Sequence, residues 1–284
     1  MPELPEAEIA AAQLRAGTVG AMVRECWVGR SDIVREGYQT LSWYQASRID
    51  AVKRHGKSVV LSFSRGGETR FLVAELGMTG LLLFRSAPAR YPQHTHFVMH
   101  LTECREPELR YWNPRRFGRL YLLDASGLEH YLRRRFGYEP LTMTRQQFAK
   151  LMTSSRGRLK ALLMHQQSIA GIGNIYANEI LFRAGIHPSQ VASRVRPDAI
   201  NRLYDVIRDV LLEAVEFGGS SVRDFFAPDG TLGTYRLFHR VYGKTGAPCP
   251  NQCGATVRRV MEERSSFICP TCQPRSGRRH KTVS

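Results

Sequence analysis

The stretch that decides the fold is IAGIGNIYANEILFRAGIHP, at residues 169–188. Gly171 and Gly173 lie directly before a predicted helix, Asn174 is placed to cap it, and Gly185 ends it. Glycines allow the main chain to approach a ligand closely, and the amides at the start of a helix attract anions. The pattern therefore predicts a helix entry that binds a phosphate group through the backbone.

The residues directly upstream, RGRLKALLM at 156–164, predict a second helix with basic side chains. The two helices and their glycine-rich connection predict a helix–two-turn–helix over about residues 156–188. An ordinary connection between two helices has much the same pattern. This segment alone therefore leaves the phosphate-binding role open.

Four cysteines near the C-terminus form two pairs, with three residues inside the first pair, two inside the second and fifteen between the pairs. Two tight turns that each present two thiolates are typical of a closed, structural zinc site. The intervening segment alternates like a β-hairpin and carries Arg264. We predict one structural Zn²⁺, with unligated thiols as the alternative, and the ligands would be Cys249, Cys253, Cys269 and Cys272.

The chain begins MPELPEAE, and removal of Met1 would leave Pro2 as an N-terminal secondary amine. An α-amino group has a pKa near ~8, so a usable fraction is unprotonated at neutral pH. Attack of such an amine on a sugar C1′ gives an iminium that cannot lose its charge at nitrogen. Glu3 supplies an adjacent carboxyl for proton transfer. The alternative is that Pro-Glu merely begins a helix.

Charge and composition narrow the class of partner. The 284 residues include 41 Lys and Arg against 25 Asp and Glu, a net charge of +16, which predicts a polyanionic partner. No stretch approaches the roughly 18 apolar residues of a membrane span, and the N-terminus does not have the pattern of a secretory signal. We therefore expect a cytoplasmic protein without a membrane partner. Cys26 and Cys104 are isolated, so a disulfide framework is not expected.

Hydrophobic periodicity changes along the chain. A helix is predicted from Glu6 to about Leu14, and a second, long helix follows Pro197 until Gly218. Between these helices, segments rich in β-branched and aromatic residues predict strands at 57–63, 70–78, 96–101 and 119–124. The charged stretch 130–141 is predicted to connect two domains.

These elements predict a multidomain α+β fold. The expected parts are an N-terminal helix with a β-sandwich at 1–130, a helical domain at 131–240, a zinc-finger hairpin at 241–273 and a basic, flexible tail at 274–284.

The motifs together resemble the formamidopyrimidine-DNA glycosylase family. The resemblance rests on blocks that run in order along the whole chain: MPELPEAE, GK (56–57), LGMTG (76–80), NPRRFG (113–118), GIGNIYANEILFRAGIHP (171–188), VYGKTG (241–246) and the C-terminal cysteines. The family fold has an N-terminal helix and β-sandwich, a helix–two-turn–helix domain and a zinc finger. It agrees with the organisation predicted above.

The resemblance implies a monomeric, bifunctional enzyme of base excision repair, which is both a DNA glycosylase and an abasic-site lyase acting on oxidised purines in duplex DNA. By matching position, Pro2 would attack C1′ and form a Schiff base, and Glu3 would protonate the opening sugar. Lys57 matches the family lysine assigned to β-elimination, and Arg264 matches the finger arginine linked to δ-elimination.

The resemblance also implies contacts with DNA. Met78 and Phe117 would wedge into the emptied base stack and Arg115 would bind the orphaned cytosine, whereas without the family the two apolar residues would be core residues. The other implied DNA contacts are His94, Asn174, Lys160 and Arg156, and the implied lesion pocket holds Glu6, Glu179, Thr234 and Tyr235.

Some positions depart from the family pattern. The first cysteine pair has three intervening residues where two are usual, and Ser155 replaces a phosphate-contacting lysine, with Arg156 as the substitute. Leu81 stands where small or polar residues are common, and Leu232-Gly233-Thr234-Tyr235 replaces Pro-Gly-Tyr-Phe. Two alternatives therefore stay open: an endonuclease VIII-like glycosylase for oxidised pyrimidines, and a non-catalytic zinc-containing protein that binds damaged DNA.

Overall fold

The computed structural model describes residues 2–87, 92–221, 225–261 and 264–275. The chain divides into two compact units: the first unit is Met1–Phe136 with Ala214–Leu237, and the second unit is Gly137–Glu213 with Phe238–Ser284. Among the described residues, no helix combines the length and the apolar character that a membrane span requires. Most of the predicted tail, residues 276–284, lies outside the described residues.

The first unit begins with helix α1, Leu4–Thr18. Ala7, Ala11 and Leu14 recur at helical spacing and are fully buried, because this face of α1 packs against the sheet. Nine strands are present in the described part of the unit: β1 Met22–Val28, β2 Val34–Glu36, β3 Arg48–His55, β4 Ser58–Arg65, β5 Glu68–Glu75, β6 Leu81–Phe84, β7 Thr95–Thr102, β8 Glu108–Trp112 and β9 Leu120–Leu123.

The strands pair in the order β2-β9-β5-β4-β3-β1-β7-β8-β6. Every pair is antiparallel except β2 with β9. β4 is buried on both faces: Leu61 and Phe63 point into the main core, whereas Val60 belongs to a smaller cluster with Tyr131 of helix α2, Ala125–Arg135. This double burial explains why the sequence of β4 alternates only partly.

The predicted strands are confirmed, with changes at their ends. The segment expected at 70–78 ends at Glu75, because Gly77 has a φ of +59° that an extended strand does not permit. Met78 therefore lies in a loop. The stretch at 130–141, expected to be a connection, is helical as far as Arg135.

The described part of the second unit contains helices α3 Arg145–Ser154, α4 Leu159–Met164 and α5 Asn174–Ala184, most of α6 Pro197–Glu216, and a hairpin of β10 Arg258–Met261 and β11 Ser265–Ile268. The helix–two-turn–helix is thus formed by α4 and α5. Gly185 ends α5 in the left-handed conformation, as predicted. The prediction for its start is wrong: Gly173 occupies the N-cap and Asn174 is the first helical residue.

One segment groups differently from the expected domains. Residues 214–237, assigned from the sequence to the helical domain, belong to the first unit. The Ser220 N–H donates to Glu6 Oε1 at 2.8 Å, and the Phe84 N–H donates to the Pro228 carbonyl at 2.8 Å. These bonds join residues that are far apart in the chain, so local sequence patterns do not report them.

Glu179 of α5 is a structural residue of the second unit. Its side chain is 0% exposed, and its carboxylate accepts the N–H groups of Arg240, Val241 and Tyr242 at 2.8, 3.1 and 2.8 Å. Burial raises the pKa of the Glu179 carboxyl, and the three amide donors oppose this shift. The Glu179 carboxylate thus holds the segment that leads into the cysteine hairpin, and its place in a lesion pocket stays a prediction.

We expect Glu179→Ala to destabilise the protein by about 3 kcal/mol or more, since it leaves three amides without their acceptor. Urea unfolding measures this effect. Asp209→Ala, at an exposed position of α6 in the same unit, is the matched control and should change stability by less than ~0.5 kcal/mol. Equal stability of the two variants would contradict the structural role of Glu179.

Candidate functional site

The start of α1 is held by Glu6. Pro2 and Glu3 are both buried, and the Glu3 N–H donates to Glu6 Oε2 at 2.8 Å. The other oxygen, Oε1, accepts the Ser220 N–H at 2.8 Å. Gly219 has a φ of +80°, and a Cβ there would lie 2.8 Å from Glu6 Oε1. A single buried carboxylate therefore fixes both the residues beside Pro2 and the chain at 219–220.

The chain after this contact returns to the same place. The Thr234 N–H donates to the Phe217 carbonyl at 2.8 Å, and the Tyr235 N–H donates to the Gly219 carbonyl at 3.0 Å. Thr234 is exposed, whereas Tyr235 is 0% exposed. The first unit thus brings together three of the four expected lesion-pocket residues, with Tyr235 as a buried support.

Lys57 lies in a two-residue turn that joins β3 to β4. Gly56 stands first in this turn with a φ of +56°, as type II′ turns require. Arg54 ties the turn to α1, because its guanidinium donates to Glu8 Oε2 at 2.8 Å and to the Gly56 carbonyl at 3.2 Å. The half-buried Lys57 is therefore anchored to the helix that begins beside Pro2.

The predicted wedge residues point outward. Met78 is 40% exposed and Phe117 is 64% exposed, and Arg115 is also exposed. Their two loops touch main chain to main chain, since a Cβ on Gly77 would lie 2.4 Å from the Gly118 nitrogen. The alternative of ordinary core residues is wrong, because core side chains of this size would be buried.

A buried polar scaffold, which no sequence pattern predicted, supports the loops that carry Met78 and Phe117. Asn113 is 0% exposed; its Oδ1 accepts the Arg116 N–H at 3.0 Å and the Thr79 hydroxyl at 3.3 Å. Its Nδ2 donates to the Tyr111 hydroxyl at 3.0 Å, which donates in turn to the Glu75 carbonyl at 2.6 Å. Asn113 directly before a proline was the available signal, because asparagine often bonds the backbone of a turn.

His94 lies beside the same scaffold. Its carbonyl accepts the Asn113 N–H at 2.9 Å, and its ring meets the Trp112 ring edge-on at 5.9 Å between centroids. The side chain is half-buried. His94 is therefore placed next to the loop that presents Arg115 and Phe117. Leu81, which stands where the family commonly has a small or polar residue, lies in β6 and is 2% exposed.

An open groove of about 630 Å³ lies along the helix–two-turn–helix of the second unit. Its basic lining residues are Arg158, Lys160, His165 and Arg264, and Ser155 also lines it. The expected substitute, Arg156, is exposed but is not among the groove's lining residues, whereas Arg158 is. Both arginines belong to the sequence RGR at 156–158, and only the fold shows which of them lines the groove.

Lys160 and Asn178 join this motif to the hairpin. The buried Lys160 ammonium donates to the Ser265 carbonyl at 2.8 Å and to the Ser266 hydroxyl at 2.9 Å. Asn178 Oδ1 accepts the Phe267 N–H at 2.7 Å. The Lys160 ammonium therefore holds the strand next to Arg264, and a contact between Lys160 and DNA stays a prediction. Asn174 remains half-buried at the start of α5.

The four C-terminal cysteines converge. Their sulfur atoms all lie within 4.8 Å of one another, with Cys249 and Cys272 at 3.7 Å and Cys253 and Cys269 at 3.4 Å. These separations are too long for disulfide bonds of about 2.05 Å. Four sulfurs about 2.3 Å from a central metal would be about 3.8 Å apart at tetrahedral angles. The cluster therefore fits one tetrahedral metal ion.

Two family models match most of the chain. The family model for the formamidopyrimidine-DNA glycosylase N-terminal domain matches residues 1–120, and that for the formamidopyrimidine-DNA glycosylase H2TH domain matches residues 136–226. The formamidopyrimidine-DNA glycosylase of Solibacter usitatus is 39% identical over 280 residues, which cover 97% of this chain and 100% of the relative.

Solved structures agree over nearly the whole chain. The complex of Lactococcus lactis Fpg with DNA containing an abasic site superposes with a TM-score of 0.85 at 29% identity, covering 96% of this chain and 99% of that chain. A mutant of the same protein bound to DNA containing Fapy-dG gives a TM-score of 0.86 at 29% identity, covering 96% of this chain and 100% of that chain.

We expect Asn113→Ala to lower the free energy of unfolding by about 2 kcal/mol, because the Arg116 amide and the Tyr111 hydroxyl lose buried partners. Gln39→Ala, at an exposed position of the same unit, serves as the control and should remain within ~0.5 kcal/mol of the parent. Urea titrations of both variants make the comparison. A neutral Asn113→Ala would show that the scaffold does not hold the wedge loops.

Proposed function

The chain belongs to the formamidopyrimidine-DNA glycosylase family, and on that premise we propose that it excises oxidised purines from duplex DNA and then cleaves the abasic strand. It is a DNA glycosylase of base excision repair. The observation that carries the proposal is the buried start of α1, where Glu6 fixes the residues next to Pro2. A protein that only bound damaged DNA would need no such constraint on an amine and a carboxyl.

The first step uses the N-terminal amine. Once Met1 is removed, the Pro2 nitrogen attacks C1′ of the damaged nucleotide and the bond from C1′ to the base breaks. The proton that the Pro2 nitrogen loses goes to the departing base. Glu3, 1% exposed beside Pro2, is the donor that protonates the opening sugar. The bond between C1′ and the ring oxygen then breaks, and an iminium forms between C1′ and the Pro2 nitrogen. This covalent intermediate is the one that reduction would trap.

The second step is elimination from that iminium. Removal of a C2′ proton allows the bond from C3′ to the phosphate oxygen to break, and we assign this proton transfer to Lys57. Its turn is rigid, since Gly56 and Arg54 fix it against α1. A second elimination, at the 5′ side, would leave a one-nucleotide gap with phosphate at both ends. Arg264 is proposed to hold a phosphate for this δ-elimination.

Recognition begins with removal of the damaged base from the stack, since no pocket can reach a base inside a duplex. Met78 and Phe117 are the exposed apolar groups that would fill the gap, and Arg115 would donate to the acceptors of the orphaned cytosine. His94 lies beside them and would contact the backbone. Glu6 and Thr234 are proposed to face the extruded base, although Glu6 does so from a buried position.

Phosphate binding is assigned to the groove of the second unit. Arg158, His165 and Arg264 line it, and Asn174 begins α5, whose first amides point away from the helix. The net charge of +16 supports a phosphate-led, salt-sensitive affinity. Arg156, which is exposed next to the groove residues, would add to the electrostatic attraction of phosphate.

The metal proposed for the cysteine cluster is zinc. Four thiolates form a complete ligand set, so the ion would be structural and would not carry a reactive water. Cys249, Cys253, Cys269 and Cys272 would hold it, and the ion would rigidify the hairpin that carries Arg264. We further propose that the protein acts on DNA as a monomer. We place it in the bacterial cytoplasm, since the similar proteins come from bacteria.

Pro2→Gly tests the nucleophile. Borohydride should trap a covalent complex between the parent and a duplex that contains an abasic site or 8-oxoguanine, and Pro2→Gly should reduce this trapping at least about tenfold, because the secondary amine is lost. Lys53→Ala removes an exposed amine of β3 and should leave trapping unchanged. Undiminished trapping with Pro2→Gly would refute the assignment of Pro2.

Metal analysis tests the zinc site. We expect about one equivalent of zinc per chain, and loss of that zinc in Cys269→Ser, since the ligand set would be incomplete. Cys26→Ser, in an isolated cysteine of β1, should retain the full equivalent. Zinc near zero in the freshly purified, folded parent would contradict the proposal.

A further inference from the structure

Glu75, the last residue of β5, lies at the centre of a polar network in the first unit. Its Oε1 accepts the Tyr131 hydroxyl at 2.9 Å and pairs with the Arg135 guanidinium at 2.9 Å. Its Oε2 accepts the Tyr121 hydroxyl at 3.4 Å, and Arg135 donates to that same hydroxyl at 2.6 Å. Both carboxylate oxygens are therefore bonded, and Arg135 and the two tyrosine hydroxyls all meet at this carboxylate.

The network continues to the residue that follows Lys57. Tyr131 gives its proton to Glu75, so its oxygen is the acceptor for the Ser58 hydroxyl at 3.2 Å. Ser58 is 3% exposed and Tyr131 is 6% exposed. Burial raises the pKa of the Tyr131 phenol, which keeps the donated proton in place. Ser58 is also the direct strand partner of Glu75.

The main chain of Glu75 reaches the second functional loop. Its carbonyl accepts the Tyr111 hydroxyl at 2.6 Å, which belongs to the scaffold under Asn113. Its N–H donates to the Arg119 carbonyl at 2.8 Å. Met78 follows three residues later, beyond the left-handed Gly77. One residue therefore joins the turn that carries Lys57 to the loops that carry the wedge side chains.

We propose that Glu75 is a positioning residue for strand cleavage: through Tyr131 and Ser58 it fixes the Lys57 turn, and through its main chain it fixes the Met78 loop. The inference rests on the proposed function, in which Lys57 transfers a proton. Neither Glu75 nor Tyr131 is assigned to touch DNA. Their effect comes from the placement of the Lys57 amine, since a small displacement of a reacting group lowers a rate steeply.

Tyr131→Phe tests the inference, because it removes only the hydroxyl that joins Ser58 to Glu75. Two rates are measured with saturating enzyme on one duplex with a preformed abasic site: borohydride trapping and single-turnover strand cleavage. We expect cleavage to fall about tenfold while trapping stays within about twofold of the parent. Glu75→Gln and Ser58→Ala should give the same split, and they replace Tyr131→Phe if that variant does not fold.

Two comparisons separate positioning from general loss of structure. Tyr121→Phe removes a hydroxyl that also contacts Glu75 but does not reach Ser58, and this variant should cleave within about twofold of the parent. In a Lys57→Ala background, Tyr131→Phe should have no further effect on cleavage, because the pathway it acts through is already absent.

Cleavage by Tyr131→Phe at the parent rate, equal losses of trapping and cleavage, or a tenfold loss that persists in Lys57→Ala would each overturn the inference. A parent that shows neither trapping nor cleavage would instead overturn the proposed function, so the two failures are distinguishable.

Discussion

The structure depends on the carboxylate of Glu6, which is 2% exposed at the start of α1. A buried carboxylate is costly unless donors surround it, and Glu6 accepts the amides of Glu3 and Ser220. The first bond fixes the residue next to Pro2, and the second fixes the chain after α6. There is no room for a side chain at position 219 against Glu6, so we expect this contact to require glycine there.

The same device recurs in both units. Glu179, Asn113, Lys160 and Glu75 are polar side chains, the first three of them buried, and each bonds groups that lie in another element or loop of the same unit. Buried polar groups that are fully bonded specify one geometry, because every alternative leaves a donor or acceptor unpaired. The side chains that would meet DNA, such as Met78 and Phe117, are exposed above these supports. Buried polar contacts thus hold the loops that present these exposed side chains.

Local sequence patterns predicted the elements well. The glycine-rich entry to α5, the long helix α6, the strands of the first unit and the converging cysteines were all predicted, because spacing and periodicity report local structure directly. Local patterns failed where the placement of a side chain depends on partners that are far away in the sequence. Lys160 and Ser265 are 105 residues apart, and Glu179 bonds amides more than sixty residues away. The presence of a lysine or glutamate in a predicted helix therefore did not indicate that its side chain is buried. The end of β5 was missed because it depends on the left-handed backbone of Gly77, which the apolar pattern does not report.

The central claim is that the amine of Pro2, presented by the buried start of α1, bonds covalently to deoxyribose. The most direct measurement is mass spectrometry of tryptic peptides after the complex with abasic-site DNA has been reduced and the DNA digested. We expect the sugar adduct at Pro2, on the N-terminal peptide that ends at Arg15, with Met1 absent. An adduct on a lysine-containing peptide, or an active enzyme that retains Met1, would contradict it.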